Sequence, residues 1–156
     1  AILLDQDFAL PAAAIRADAG KYSAQGGGAV QVTTTNPGAQ GLAFLHWDAA
    51  EHWLEWTLEA PAAGNYHLYM QACTAEVTAV RKVSVNGETP RALAAVEIVG
   101  TGGYSNNRDD WRAFQMADGD GRALAVALRQ GRNVIRMENV DGKSLNLDWV
   151  AVVKAE

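Results

Sequence analysis

The chain has 156 residues, of which 49% are hydrophobic and 20% charged, a formal net charge of −5 and a single cysteine, Cys73. This balance fits one folded domain, 1–156, and excludes a disordered chain or an internal disulfide. The acidic charge gives no electrostatic footprint for nucleic acid or an anionic membrane surface, and no apolar run reaches the roughly 20 residues of a membrane helix, so neither partner is expected.

The opening A-I-L-L-D-Q-D-F-A-L lacks a basic leader and is interrupted by Asp5 and Asp7, so it reads as a strand of the mature domain. Pro11 to Gly20 is alanine-rich and predicts a short helix. Ser23 to Gly41 carries Gly26-Gly27-Gly28 and Asn36-Pro37-Gly38 around a short strand, Val30 to Thr34, and reads as a long loop. In His52 to Ala60, Leu54, Trp56 and Leu58 alternate with polar or half-buried positions, the period-two signature of a strand. The turn Pro61-Ala62-Ala63-Gly64 leads into a second alternating segment, Tyr66 to Ala72, and the two predict an antiparallel hairpin.

Asn86-Gly87 after Arg81 to Val85 is a strong hairpin signal, because both residues tolerate positive φ. Arg91 to Val99 follows as a strand. Gly100 to Asp110 is a second long loop, and such loops are disproportionately functional. Trp111–Met116, Arg122–Leu128, Arg132–Glu138 and Leu145–Val153 are joined by glycine-containing turns and predict a β-meander. The whole reads as all-β, a β-sandwich of two antiparallel sheets. In the last segment Asp148 interrupts a run that is apolar on both faces, and a carboxylate there needs a partner.

Enzymatic signals are weak. His46, Asp48, Glu51 and His52 lack the H-E-x-x-H spacing of a helical zinc site, Asp118-Gly119-Asp120-Gly121 lacks the remaining ligands of a calcium loop, and no G-x-S-x-G elbow occurs. Glu55 and Glu59 fall on the outward face of a strand, where solvated charge is the ordinary reading. An aromatic and amide-rich set remains around the loops: Trp47, Trp53, Tyr104, Asn106, Asn107, Trp111 and Asn146. A flat ring suits the C–H face of a sugar, and amides orient its hydroxyls. Trp56 and Trp149, inside regular strands, read as core, whereas Trp47 and Trp111 at strand edges either pack or present a face.

Seven stretches in order carry a resemblance: L-D-Q-D-F, H-W-D-A-A-E-H-W-L-E-W, E-A-P-A-A-G-N-Y, R-K-V-S-V-N-G, the glycine-rich approach to Trp111, L-R-Q-G-R-N-V-I-R and L-N-L-D-W-V. From Leu3 to Val153 the chain resembles the carbohydrate-binding modules of families 6 and 35, β-sandwich jelly rolls appended to secreted polysaccharide-degrading enzymes. The resemblance implies a structural calcium held by Asp5, Asp7 and Asp148. It also implies a loop-end sugar site with Trp47 and Trp111 as platforms and Asn146 as the orienting amide, Tyr104 and Asn107 as secondary contacts, and His46 as the alternative to Trp47.

The expectation is therefore a secreted, non-catalytic module that binds a polysaccharide or oligosaccharide and targets an attached catalytic domain. Arg108 and Arg112 near the loop leave a uronic acid open beside neutral β-linked glycans, since arginine matches a carboxylate bidentately. Two rivals are a small glycan lyase or hydrolase on a β-sandwich, and a structural spacer domain.

Overall fold

The computed structural model describes all residues, 1–156. Thirteen strands form: β1 (Ile2–Leu3), β2 (Ile15–Asp18), β3 (Ala24–Gly26), β4 (Gln31–Thr33), β5 (Ala43–Leu45), β6 (Trp53–Ala60), β7 (Gly64–Cys73), β8 (Thr78–Val85), β9 (Val96–Val99), β10 (Arg112–Gln115), β11 (Ala125–Leu128), β12 (Gly131–Asn139) and β13 (Asn146–Lys154). The helical segments are three short 3₁₀ turns. An eight-stranded sheet runs β1-β10-β7-β13-β5-β4, with β11 also on β7 and β2 also on β13, and a five-stranded sheet runs β3-β6-β12-β8-β9. Every pairing is antiparallel. The inner faces meet in a core of 27 buried residues, among them Phe44, Trp47, Trp56, Leu68, Ile135 and Val150, which makes the molecule a two-sheet β-sandwich.

Strand existence follows the alternation, but pairing does not follow chain order. β6 and β7, expected as a hairpin, lie in different sheets, and Pro61–Ala63 carries the chain between them. The expected meander is likewise split: β10 and β11 pair with successive halves of one edge of β7, β12 lies between β6 and β8, and β13 returns to β7. Each of these segments must bury its apolar face against the opposite sheet, and placing β10, β11 and β13 in one sheet and β12 in the other does that for all four. The alanine-rich stretch expected as a helix becomes β2 and a 3₁₀ turn at Ala19–Lys21. Pairing of β2, Ile15 to Asp18, against Trp149 to Val152 of β13 outweighs a weak helix propensity. Asn86-Gly87 does turn as expected, with φ of 51° and 83° and Val85 bridged to Glu88, although the strand beyond it starts only at Val96, after a 3₁₀ turn at Arg91–Leu93.

Asp148 sits at a β-bulge. Along β7 the register steps from Leu147 opposite Ala72 to Trp149 opposite Gln71, so Asp148 is the extra residue. Leu145, Leu147, Val150 and Val152 join the main core, whereas Trp149 and Ala151 pack with Ala113, Leu4, Phe8, Leu10 and Tyr69. The N-terminal segment thus straps the outer face of the eight-stranded sheet, with Phe8 stacked on Tyr69 at 5.5 Å.

Candidate functional site

Three segments meet at one end of the sandwich: the β5–β6 connection, the Gly100–Asp110 loop and the β12–β13 connection. Between them lies a pocket of about 270 Å³ lined by Leu45, His46, Tyr104, Ser144 and Asn146. Tyr104 is half-buried and His46 exposed. His46 and Ser105 both hold positive φ, 67° and 64°, a conformation uncommon for residues other than glycine and concentrated at functional sites.

The pocket is fixed from beneath. Arg81 and Asn139 are fully buried, and each donates to the carbonyls of both Trp47 and Lys143, Arg81 through Nη2 at 3.0 and 2.9 Å and Asn139 through Nδ2 at 3.2 Å to each. These bonds tie the backbone next to His46 to the backbone next to Ser144. Burial lowers the Arg81 pKa to about 9 against the partial offset of Asp141, 3.7 Å away, so it stays cationic at neutral pH, 4.1 Å from the Trp47 ring centroid. The Thr74 hydroxyl donates to the Ser144 carbonyl at 2.7 Å. Asn146 Nδ2 donates to the Tyr104 carbonyl at 3.2 Å, and the Ser105 hydroxyl, itself bonded by Asn36, also meets that carbonyl. Below it, the Cys73 thiol is pushed up to about 12, chiefly by burial, and so stays protonated and unreactive.

Of the five expected ligand contacts, Tyr104 and Asn146 come together at this pocket. Trp47 does not present a ring: it is 0% exposed, its Nε1 donates to the His52 carbonyl at 3.0 Å, and Phe44 packs edge-on against it. His46, one residue earlier, occupies the wall instead. Trp111 is 4% exposed, packed on Ala43 and Cys73, with Nε1 donating to the Pro37 carbonyl. It borders a separate polar cleft with Gln40, Gln71, Asp7, Arg108 and Asp109. Asn107 caps the 3₁₀ turn Arg108–Asp110 and lies off the pocket. Asn146 is 3% exposed with its amide N–H committed to Tyr104, so it positions that residue. Sequence patterns gave no sign of Leu45 or Ser144.

The remaining sequence candidates also find their places. Arg112 donates through Nη2 to the Leu4 carbonyl, and neither it nor Arg108 lines the pocket. The Asp118 carboxylate accepts the Asp120 and Arg122 N–H groups at 2.9 and 3.0 Å, closing an ordinary turn. On the outer face of the five-stranded sheet, Glu55, Lys82, Ser84, Arg136 and Glu138 line a charged groove. Trp53 borders it, with the Arg136 guanidinium 3.8 Å above its ring centroid.

The residues expected to hold calcium do not fit one. Asp5 and Asp7 are exposed on an N-terminal turn, and no three His, Cys, Asp or Glu side chains form a group able to hold a metal ion. Asp148, 0% exposed, is met by protein donors instead: Gln40 N–H at 2.7 Å, Gly41 N–H at 3.0 Å and Gln71 Nε2 at 2.9 Å. Burial holds its pKa above the ordinary carboxylate value, and these bonds and the charge of Arg16 offset that only in part.

No protein-family model and no curated protein matches the chain. Solved structures do. A family 35 carbohydrate-binding module from Clostridium thermocellum aligns at TM-score 0.73 with 21% identity, over 92% of this chain and all of that one. A family 35 module from Paenibacillus barcinonensis aligns at 0.70 with 18% identity, over 90% and 98%. A family 6 module from Cellvibrio mixtus lichenase 5A, in complex with cellotriose, aligns at 0.64 with 21% identity, over 90% and 97%. Sandwich topology and these alignments agree that the chain has the fold of the family 35 and family 6 carbohydrate-binding modules.

Proposed function

We propose that the chain is a non-catalytic carbohydrate-binding module whose ligand enters the loop-end pocket, between Tyr104 and His46. The observation that carries this reading is the pairing of a half-buried Tyr104 ring with an exposed His46 over a floor braced by Arg81, Asn139 and Asn146. One ring offers an apolar face for the sugar, and the imidazole, the Ser144 hydroxyl and the tyrosine hydroxyl supply polar contacts. The small rigid site suits one sugar unit of a chain, and its affinity falls at about micromolar to millimolar. Attachment to a catalytic domain at a polysaccharide surface outside the cell would raise the working affinity by avidity.

The lining contains no arginine or lysine, and the chain is acidic overall, so the ligand class is a neutral glycan rather than a uronic acid. The lining also contains no carboxylate, where glycoside hydrolysis uses a facing pair. The second point favours recognition without turnover. A glycan array and affinity gels with the wild type, Tyr104→Ala and His46→Ala test the reading. Retention on neutral polysaccharides, weakened in both variants while the melting temperature holds, supports it. Hits confined to uronic acids, or retention unaffected by either substitution, would overturn it.

A further inference from the structure

The acid that shares a neighbour with Asp148 is neither Asp5 nor Asp7 but Asp18, since both lie against Gly41. β2 pairs with β13 so that Asp18 lies opposite Trp149 and Arg16 opposite Ala151. Residues two apart on a strand share a face, which puts Arg16 and Asp18 on the side to which the bulge turns Asp148. Gly41 lies between the two acids. Its N–H donates to Asp148 Oδ1 at 3.0 Å, and a Cβ added to it would come within 2.3 Å of Asp18 Oδ1. Two carboxylates beside one glycine call for a positive charge near them, and the resemblance implies a divalent cation in that role.

This chain supplies the positive charge from its own strand. Arg16 Nη2 stands 3.5 Å from Asp18 Oδ1, with the Asp18 side chain only 19% exposed, and Lys21 Nζ adds a looser contact at 3.9 Å. Arg16 is also near enough for its field to favour the ionised form of Asp148. Any metal at this point would meet a guanidinium, and it would compete with the three donors already on Asp148. We propose that the Arg16 guanidinium takes the place of the structural calcium implied by the fold, so that Asp18 and Asp148 are joined by a protein charge and the sandwich is stable without metal.

The test is a thermal melt of the purified protein and two variants, in chelator and in added calcium. No glycan is present, so the outcome is independent of the loop-pocket reading. The wild type is expected to melt at the same temperature in both conditions. Arg16→Glu places three carboxylates together and is expected to melt lower in chelator and to recover on addition of calcium. Arg16→Gln, which only removes the charge, is expected to melt below the wild type in chelator. A wild-type melting temperature that falls with chelator and returns with calcium overturns the proposal. So does a folded Arg16→Glu protein that gains nothing from calcium. Should Arg16→Glu not fold in either condition, Arg16→Gln decides alone, and a melt equal to the wild type's in chelator sinks the idea.

Discussion

The loop-end pocket and the groove on the five-stranded sheet both combine an aromatic ring with polar groups, yet only one leaves its ring available. Beside the groove, Trp53 lies against Gly26 and beneath Arg136, so its ring already has partners. In the pocket, Tyr104 is held through its carbonyl by Asn146 and Ser105, which fixes the backbone and leaves the ring as a wall. The other four tryptophans, Trp47, Trp56, Trp111 and Trp149, are at most 4% exposed. A sugar platform therefore depends on which ring lacks a partner, and the richest aromatic in the sequence is not the one that qualifies.

The largest effect expected is on the brace beneath the pocket. Arg81→Ala removes a fully buried side chain that carries two loop carbonyls and packs on Trp47, leaving those acceptors short of a donor and a cavity beside the ring. By analogy with large-to-small changes in cores, this costs about 3–5 kcal/mol and lowers the melting temperature by roughly 10 °C. Glycan retention should fall with it, since His46 and Ser144 lose their common anchor. A melt within a degree or so of the wild type would show that the two loops are held by something else.

Next is the wall itself. Tyr104→Ala leaves the carbonyl bonds of residue 104 intact, so the melting temperature should stay within the ordinary range for surface changes, about 0.5 kcal/mol. Binding should weaken by about 1–3 kcal/mol, using aromatic–base stacking as the scale, which corresponds to roughly 5- to 150-fold in Kd. Arg136→Ala is the matching change in the groove. It should cost about 0.5–1 kcal/mol from the lost contact with Trp53, shift tryptophan fluorescence, and leave glycan retention unchanged. If Arg136→Ala alters retention and Tyr104→Ala does not, the two regions exchange roles.

How far the sequence discloses this arrangement depends on the range of the interaction. Period-two alternation marks Trp53–Ala60 as a strand, and a short run apolar on both faces marks Asn146–Lys154 as one, because both signals are local. Neither records which sheet receives them, so the Pro61–Ala63 connection looks like a hairpin turn although it crosses the sandwich. The polar loop residues make Tyr104 and Asn146 visible as candidates. Trp47 and Trp111 look alike in sequence, and partners far along the chain, Arg81 for one and Cys73 and Pro37 for the other, help draw them inward. Asp148 declares its need for partners plainly. Two of them are backbone N–H groups more than a hundred residues away, and backbone groups leave no mark on a residue pattern.

The smallest expected effect is a pH dependence confined to the pocket's underside. His52 is 1% exposed, with Nε2 3.0 Å from Gln25 Oε1 and its ring edge-on to Trp47. Burial first, and then the positive charge of Arg81, hold its pKa below the ordinary 6.5, while Asp48 pulls the other way. With the folded pKa below the unfolded one, the unfolded chain takes up the proton first as pH falls. The stability tied to neutral His52 is complete above pH 6.5 and is lost as pH falls from 6.5 through the depressed folded pKa. His52→Gln keeps a polar side chain toward Gln25, keeps the backbone carbonyl that accepts from Trp47, and cannot titrate. Denaturant unfolding at a series of pH values should show the wild type losing more stability than His52→Gln below pH 6.5. Other acids titrate alike in both proteins and cancel in the difference. Equal slopes would mean that the floor under the pocket tolerates charge as readily as the open groove does, and the contrast between the two regions would then rest on ring access alone.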